Sequence, residues 1–165
     1  MHRDVKPDNV FLIRTGDDRQ VVKLLDFGLS KDLTRYLRPS EDSTQVTRVG
    51  LFVGTPSYMA PEQVTGDTAV DARADLWAAG VVLYEMVTGR KPFAASNVPQ
   101  MLVKIGTDDP LPLQTYRPDS PPELQTVIDK ALQKNPDRRY QKASSFMRGL
   151  VEVRRKVIEK RFPNV

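Results

Sequence analysis

The sequence predicts a mainly α domain with a small β hairpin near its start, on three observations. Two short β-type runs flank a turn-rich stretch, one later segment is apolar on nearly every helical face, and further segments carry apolar residues at helical spacing. At 165 residues and 39% apolar content, the chain is long enough for one domain with a real core rather than two.

Residues 2 to 9 form a loop leading into the hairpin, whose strands are Val10 to Ile13 and Val21 to Leu25. Between them Arg14-Thr15-Gly16-Asp17-Asp18-Arg19-Gln20 supplies the turn residues. From Asp26 to Glu62 no period is sustained, and Ser, Thr, Gly and Pro are frequent. An irregular segment of that length inside a domain reads as a regulatory loop. A helix follows over Asp71 to Thr88, with Gly89 as its stop; Leu76, Trp77, Ala78, Val81, Val82, Leu83, Met86 and Val87 make it apolar nearly all round, which places it in the middle of the domain. Ser96 caps a helix reaching Ile105, where Gly106 ends it. After a connector with Pro110, Pro112 and Pro118, the residues Ser120, Pro121 and Glu123 make a capping-box start. Leu124, Val127, Ile128, Ala131 and Leu132 then recur at helical spacing. Phe146, Leu150, Val153 and Val157 mark a final amphipathic helix. Three or four helices thus surround one central helix.

With no cysteine, disulfides, thiolate metal sites and a thiol nucleophile are excluded, which suits a reducing compartment; a cytoplasmic location is the expectation. The longest apolar stretch, Leu76 to Val87, is about a dozen residues, short of the roughly 20 that a membrane-spanning helix needs, and no leader pattern opens the chain. The net charge of +4 is spread along the chain except for Arg154, Arg155, Lys156, Lys160 and Arg161. That run reads as the solvated face of the last helix, and no nucleic-acid partner is expected. No internal repeat or low-complexity tract is present.

Three motifs carry the chemistry: His2-Arg3-Asp4-Val5-Lys6-Pro7-Asp8-Asn9, then Asp26-Phe27-Gly28, then Gly54-Thr55-Pro56-Ser57-Tyr58-Met59-Ala60-Pro61-Glu62. Together, and in this order, they resemble the catalytic-loop, DFG and APE elements of protein kinases. Each triplet alone would be weak. Lys6 and the Gly54-Thr55-Pro56 stretch resemble the Ser/Thr subgroup. Asn135-Pro136-Asp137-Arg138-Arg139-Tyr140-Gln141, with Pro61-Glu62-Gln63, is most similar to bacterial Ser/Thr kinases of eukaryotic type. Two intervals, Asp4 to Asp26 and Asp26 to Glu62, are longer than the family's usual ones; both additions lie in turn regions, where insertions cost little.

The resemblance implies transfer of the γ-phosphate of ATP to Ser/Thr hydroxyls of protein substrates, with Mg²⁺ as the metal. Such chemistry asks for positioning and charge stabilisation more than covalent work. Asp4 would orient the hydroxyl and accept its proton, Lys6 would bring an ammonium to the γ-phosphate, and Asn9 and Asp26 would supply hard oxygen ligands to Mg²⁺. Thr55 would hydrogen-bond near Asp4 and Lys6, with Pro56 to Tyr58 lining the phosphoacceptor pocket. Lys6, Asp8, Asn9, Phe11 and Asp26 are the expected nucleotide-binding residues; Val10, Phe11 and Leu12 read equally as plain strand core. His2, the lone histidine, would be structural, beneath Phe27, with Asp75 accepting from the amides around His2 and Arg3 because a carboxylate in an apolar helix needs donors. Glu62 and Arg139 would form a buried ion pair. Glu85 and Asp8 fall where basophilic members place acids for an upstream arginine, and read equally as surface acids. Ser43, Thr44 and Thr47 are candidate phosphorylation sites, Thr47 or Thr44 first, with Arg3 and Arg48 or Lys31 as clamp; they read alternatively as polar loop residues.

The resemblance implies a C-terminal lobe, with the family's N-terminal lobe and preceding helices absent from these residues: residues 1 to 150 a partial kinase domain, 151 to 165 the end of the last helix and a basic tail. A chain of this extent is expected to transfer phosphate poorly alone and to be unstable or to aggregate. The alternative function is a catalytically inert, kinase-like protein-binding module.

Overall fold

A computed structural model describes residues 1–16, 18–25, 56–67 and 69–162. The order of elements is a short 3₁₀ turn, Pro7–Asn9; strands β1, Val10–Arg14, and β2, Gln20–Leu24; a second 3₁₀ turn, Pro56–Tyr58; and helices α1, Pro61–Val64, α2, Arg73–Thr88, α3, Val98–Thr107, α4, Pro122–Ala131, and α5, Ala143–Arg161, with further 3₁₀ turns at Leu113–Thr115 and Pro136–Arg138. The described part is mostly helical with one two-stranded antiparallel sheet, in the register Val10 to Leu24 through Arg14 to Gln20. The hairpin and helices α2 to α5 fall where apolar spacing and turn residues put them, with different starts and one different end; the four-residue α1 opens inside the segment read as irregular.

Helix α2 is the axle. Its Trp77, Val81 and Tyr84 are buried in one cluster with Phe93, Ile105, Leu113, Ile128 and Leu132, and its Leu76 in a second with Val127, Ala131, Tyr140, Phe146 and Val153. The helix packs on α4, and α4 on α5. Close approach to α4 is possible because position 80 has no side chain: a Cβ there would lie 2.8 Å from Ala131 Cβ. Gly89, at φ +68°, closes the helix in the left-handed conformation that glycine adopts without strain. The helix is not apolar-buried all round, since Met86 is 77% exposed on the turn before Gly89.

Proline sets two helix starts. Pro122 pushes the residue before it out of helical space, so Pro121 is extended (φ −61°, ψ 133°), and α4 begins at Pro122 without the expected Ser120 cap. Pro61 does the same to Ala60, whose N–H donates to Gln63 Oε1 at 2.9 Å. In α3 the capping side chain is that of Asn97, accepting from Gln100 N at 2.9 Å, while Ser96 instead bonds the Gln100 side chain. Gly106 does not end α3: buried Ile105 anchors the turn and Asp108, extended, terminates it. Asp71 stands just before α2 and accepts from Arg73 N, so the helix opens two residues later than its apolar pattern suggests.

Both faces of the hairpin are open to solvent, with Leu12 at 66% on one and Phe11 at 47% on the other. At its base the ladder gains one further bond, Leu25 N donating to Asn9 O at 2.9 Å.

Candidate functional site

The site starts from a backbone turn that the local sequence would not adopt unaided. Arg3 has φ +69°, a left-handed conformation that costs a non-glycine residue about 1–2 kcal/mol. Asp75, near the start of α2, holds it there: Oδ2 accepts from His2 N and Oδ1 from Arg3 N, both at 2.7 Å. One carboxylate of the central helix thereby aims the chain immediately before Asp4, and the amides expected to satisfy Asp75 are the ones that do. The His2 ring reaches the other way, with Nε2 2.9 Å from Leu25 O, so it is the Nε2–H tautomer that makes this bond. Leu25 is thus gripped on both sides, at its carbonyl by His2 and at its N–H by Asn9, one residue before Asp26.

Asp4, Lys6 and Asn9 converge. Lys6 Nζ lies 2.8 Å from Asp4 Oδ2, and Asn9 Nδ2 donates to Asp4 O at 2.8 Å and to Asp4 Oδ2 at 3.0 Å. The Pro7–Asn9 turn makes this possible, because Asn9 N bonds back to Lys6 O and folds Asn9 under Asp4. With Oδ2 engaged twice, the acceptor left to Asp4 is Oδ1. Asn9 is buried, and since its Nδ2 is committed to Asp4, its Oδ1 is the atom left for another partner. Such an amide oxygen is a hard donor of the kind Mg²⁺ accepts, and Mg²⁺ in phosphoryl-transfer sites takes only one or two protein side chains besides phosphate oxygens. Among the described residues no group of three or more His, Asp or Glu side chains assembles into a metal cage.

Asp8 does not join this trio. It is exposed, and its charge is felt by Tyr58. Tyr58 donates to Glu85 Oε2 at 2.6 Å, with the Lys91 ammonium 5.1 Å above its ring centroid. Burial first, then the Glu85 bond and charge, then Asp8, hold the phenol well above its ordinary range. The two acids singled out from the sequence therefore flank one tyrosine. Lys91 was missed, and no spacing signal would have found it. Phe11 is half-exposed on β1, one residue beyond Val10.

Glu62 and Arg139 pair as expected. Nη1 and Nη2 of Arg139 lie 2.7 Å from the two Glu62 oxygens, and the arginine side chain is fully buried. Nε donates to Gln133 O at 2.6 Å, Nη2 to Lys134 O at 2.9 Å, and Nη1 to Arg73 O at 3.4 Å, so every N–H of the fork has an acceptor. Its guanidinium also lies 4.9 Å from the Trp77 ring centroid. Asp26, Phe27, Gly28, Lys31, Ser43, Thr44, Thr47, Arg48, Gly54 and Thr55 lie outside the described residues.

A family model described as protein kinase domain matches residues 1–149. The chain is 41% identical over 150 residues to the serine/threonine-protein kinase Pkn1 of Myxococcus xanthus, a match covering 91% of this chain and 20% of that protein. It is 38% identical over 153 residues to the serine/threonine-protein kinase PknB of Mycolicibacterium smegmatis, covering 93% and 23%, and 38% identical over 148 residues to the serine/threonine-protein kinase pkn3 of Myxococcus xanthus, covering 88% and 26%. The chain thus spans about a fifth to a quarter of the length of these relatives.

Proposed function

This chain belongs to the protein kinase family, and from that premise we propose that it supplies the phosphoacceptor and metal side of a Ser/Thr protein kinase site that uses ATP and Mg²⁺. The observation that carries the reading is the convergence of Asp4, Lys6 and Asn9 on one point, held by the Asp75 clamp.

Asp4 Oδ1 accepts the proton of a substrate Ser or Thr hydroxyl as its oxygen bonds to the γ-phosphorus of ATP and the bond to the ADP oxygen breaks. Lys6, kept beside Asp4 Oδ2, places an ammonium against the γ-phosphate oxygens. Asn9 offers Oδ1 to Mg²⁺, and Asp26 is assigned the second protein ligand. Bound Mg²⁺ neutralises charge on the β- and γ-phosphate oxygens. Phe11 and Asp8 are assigned to the nucleotide side, Thr55 to the hydroxyl side beside Asp4, and Arg3 to a phosphate on Thr47 or Thr44. Proteins bearing Ser or Thr are the substrates.

The test is Asp4→Asn in the natural gene product. Transfer of labelled phosphate to a serine-bearing protein should fall by about 10²–10⁴-fold, while binding of a fluorescent ATP analogue with Mg²⁺ stays within twofold, as roughly expected for a group acting in the transition state. If the wild-type protein transfers no phosphate above background and Asp4→Asn changes nothing, the protein is a binding module instead.

A further inference from the structure

The formal charge of this molecule sits in one helix. α5 carries Arg148, Arg154, Arg155, Lys156, Lys160 and Arg161 against Glu152 and Glu159, a net +4, equal to that of the whole chain; the other residues balance to zero. The same helix has two apolar faces. Phe146, Leu150 and Val153 turn inward, Phe146 and Val153 being buried against α4 and Tyr140. Met147, Val151 and Ile158 turn outward and are 59%, 59% and 46% exposed. At about 100° per residue these three fall within about 40° of one another and roughly 110° from the inward face. They form a second, unburied stripe about 17 Å long at 1.5 Å per residue. Phe162, half-exposed just past the end of the helix, continues it.

Cations border the stripe on both sides. Arg154 and Arg161 flank one edge, Arg148 and Arg155 the other, all exposed. Arg155 is compensated by Glu152 and Glu159, whereas among the described residues Arg154 has no ion pair and Arg161 lies 5.8 Å over the Phe162 ring. An apolar stripe rimmed by long cationic side chains is the pattern of a helix that lies on an anionic lipid surface. There the methylene stems reach into the headgroups and the charges meet phosphate. The shape agrees: the exposed side chains follow one line along a single helix, so a plane can touch the stripe along its whole length. The groove beside α5, lined by Lys156, Val157 and Lys160 with Pro118, Pro121 and Pro122, opens on another face of the helix.

We propose that the outer face of α5, through Met147, Val151 and Ile158 with Arg148, Arg154 and Arg161, docks the protein peripherally on an anionic bilayer. This is contact with one leaflet, distinct from spanning: among the described residues no helix is long and apolar enough to cross a membrane.

The test is density flotation of the whole chain with vesicles of phosphatidylcholine alone or in equimolar mixture with phosphatidylglycerol; bound protein rises with lipid and any aggregate sinks. Flotation is expected with the anionic vesicles only, weakening with added salt. The triple variant Met147→Ser, Val151→Ser, Ile158→Ser should stay with the neutral-vesicle control while keeping its circular dichroism. Arg148→Gln and Arg154→Gln should each lower affinity by about fivefold. Three results would overturn the proposal: no flotation of the unaltered chain; equal flotation of the triple variant, which would leave a bare electrostatic patch; or a dimer in sedimentation that the triple variant dissolves, which would assign the stripe to a second copy.

Discussion

At the scale of single residues, Arg139 shows how one side chain can join two distant segments to its own turn at once. It holds Glu62 beside the Pro56–Tyr58 turn, donates to the carbonyls of residues 133 and 134, and faces Trp77 of α2. Pairing the two charges inside a protein is no guarantee of net stabilisation, but removing one partner strands the other. Arg139→Met should therefore cost about 3–5 kcal/mol in chemical denaturation, and adding Glu62→Leu should restore a large part of it. Arg139→Lys keeps the charge and loses the fork, so it should rescue little. The pair was legible in the sequence from the family motifs. The remaining three acceptors were not, because all are backbone carbonyls, which carry no residue identity. Asp75 is similar: the cost of burying a carboxylate predicted donors, while the left-handed turn at Arg3 that those donors stabilise has no sequence mark.

At the scale of elements, glycines in two helices behave oppositely, and only packing distinguishes them. Gly80 lies where α2 crosses α4; an added methyl would sit 2.8 Å from Ala131 Cβ and 3.1 Å from Leu132 Cδ2. Gly80→Ala gains about 1 kcal/mol of helix propensity, but the forced separation costs about 1–3 kcal/mol, so thermal melting should fall. Gly106 in α3 is exposed with nothing within 4 Å of its missing Cβ, and Gly106→Ala should raise the midpoint by the equivalent of about 0.5–1 kcal/mol. In the sequence Gly80 falls inside the apolar pattern of α2 and Gly106 reads as the stop of α3, yet both lie within their helices. Helices α2 to α5 were legible from apolar spacing; the four-residue α1, too short to show a period, was not. Starts were misread at Ser120 and Ser96, because a neighbouring proline or asparagine decides where the first turn can form.

At the scale of the molecule, the helical core confers a pH dependence through Lys134. Its ammonium lies 4.1 Å from the Phe93 ring centroid and 5.0 Å from that of Trp77, and donates to Ile105 O at 2.9 Å. Burial pushes the amine down to about 8, opposed by Asp109 and Asp108 and aided by Arg139. A lysine that loses its proton more easily folded than unfolded makes the unfolded chain bind more protons between that value and its ordinary 10.5. Stability should therefore rise with pH above about 8, by at most about 1.4 kcal/mol per pH unit, and Lys134→Met should flatten the slope. Denaturation is best read below about pH 9.5, before ordinary phenols titrate. Burial raises Tyr84 to about 12, and its contribution has the opposite sign, lost as pH climbs past 10.

The sequence by itself determined the order of helices and hairpin and the chemistry offered at positions 4, 6 and 9. Those groups are neighbours in the chain, and a proline-started turn at Pro7 folds Asn9 back onto Asp4. Tertiary structure alone decided that the turn clamped by Asp75 would put Arg3 in the left-handed region, that Lys91 would cover Tyr58, and that α5 would keep one apolar face and leave the other outside. Such contacts are set by how helices cross, and crossing depends on the sum of many small packing energies that no short stretch of chain encodes.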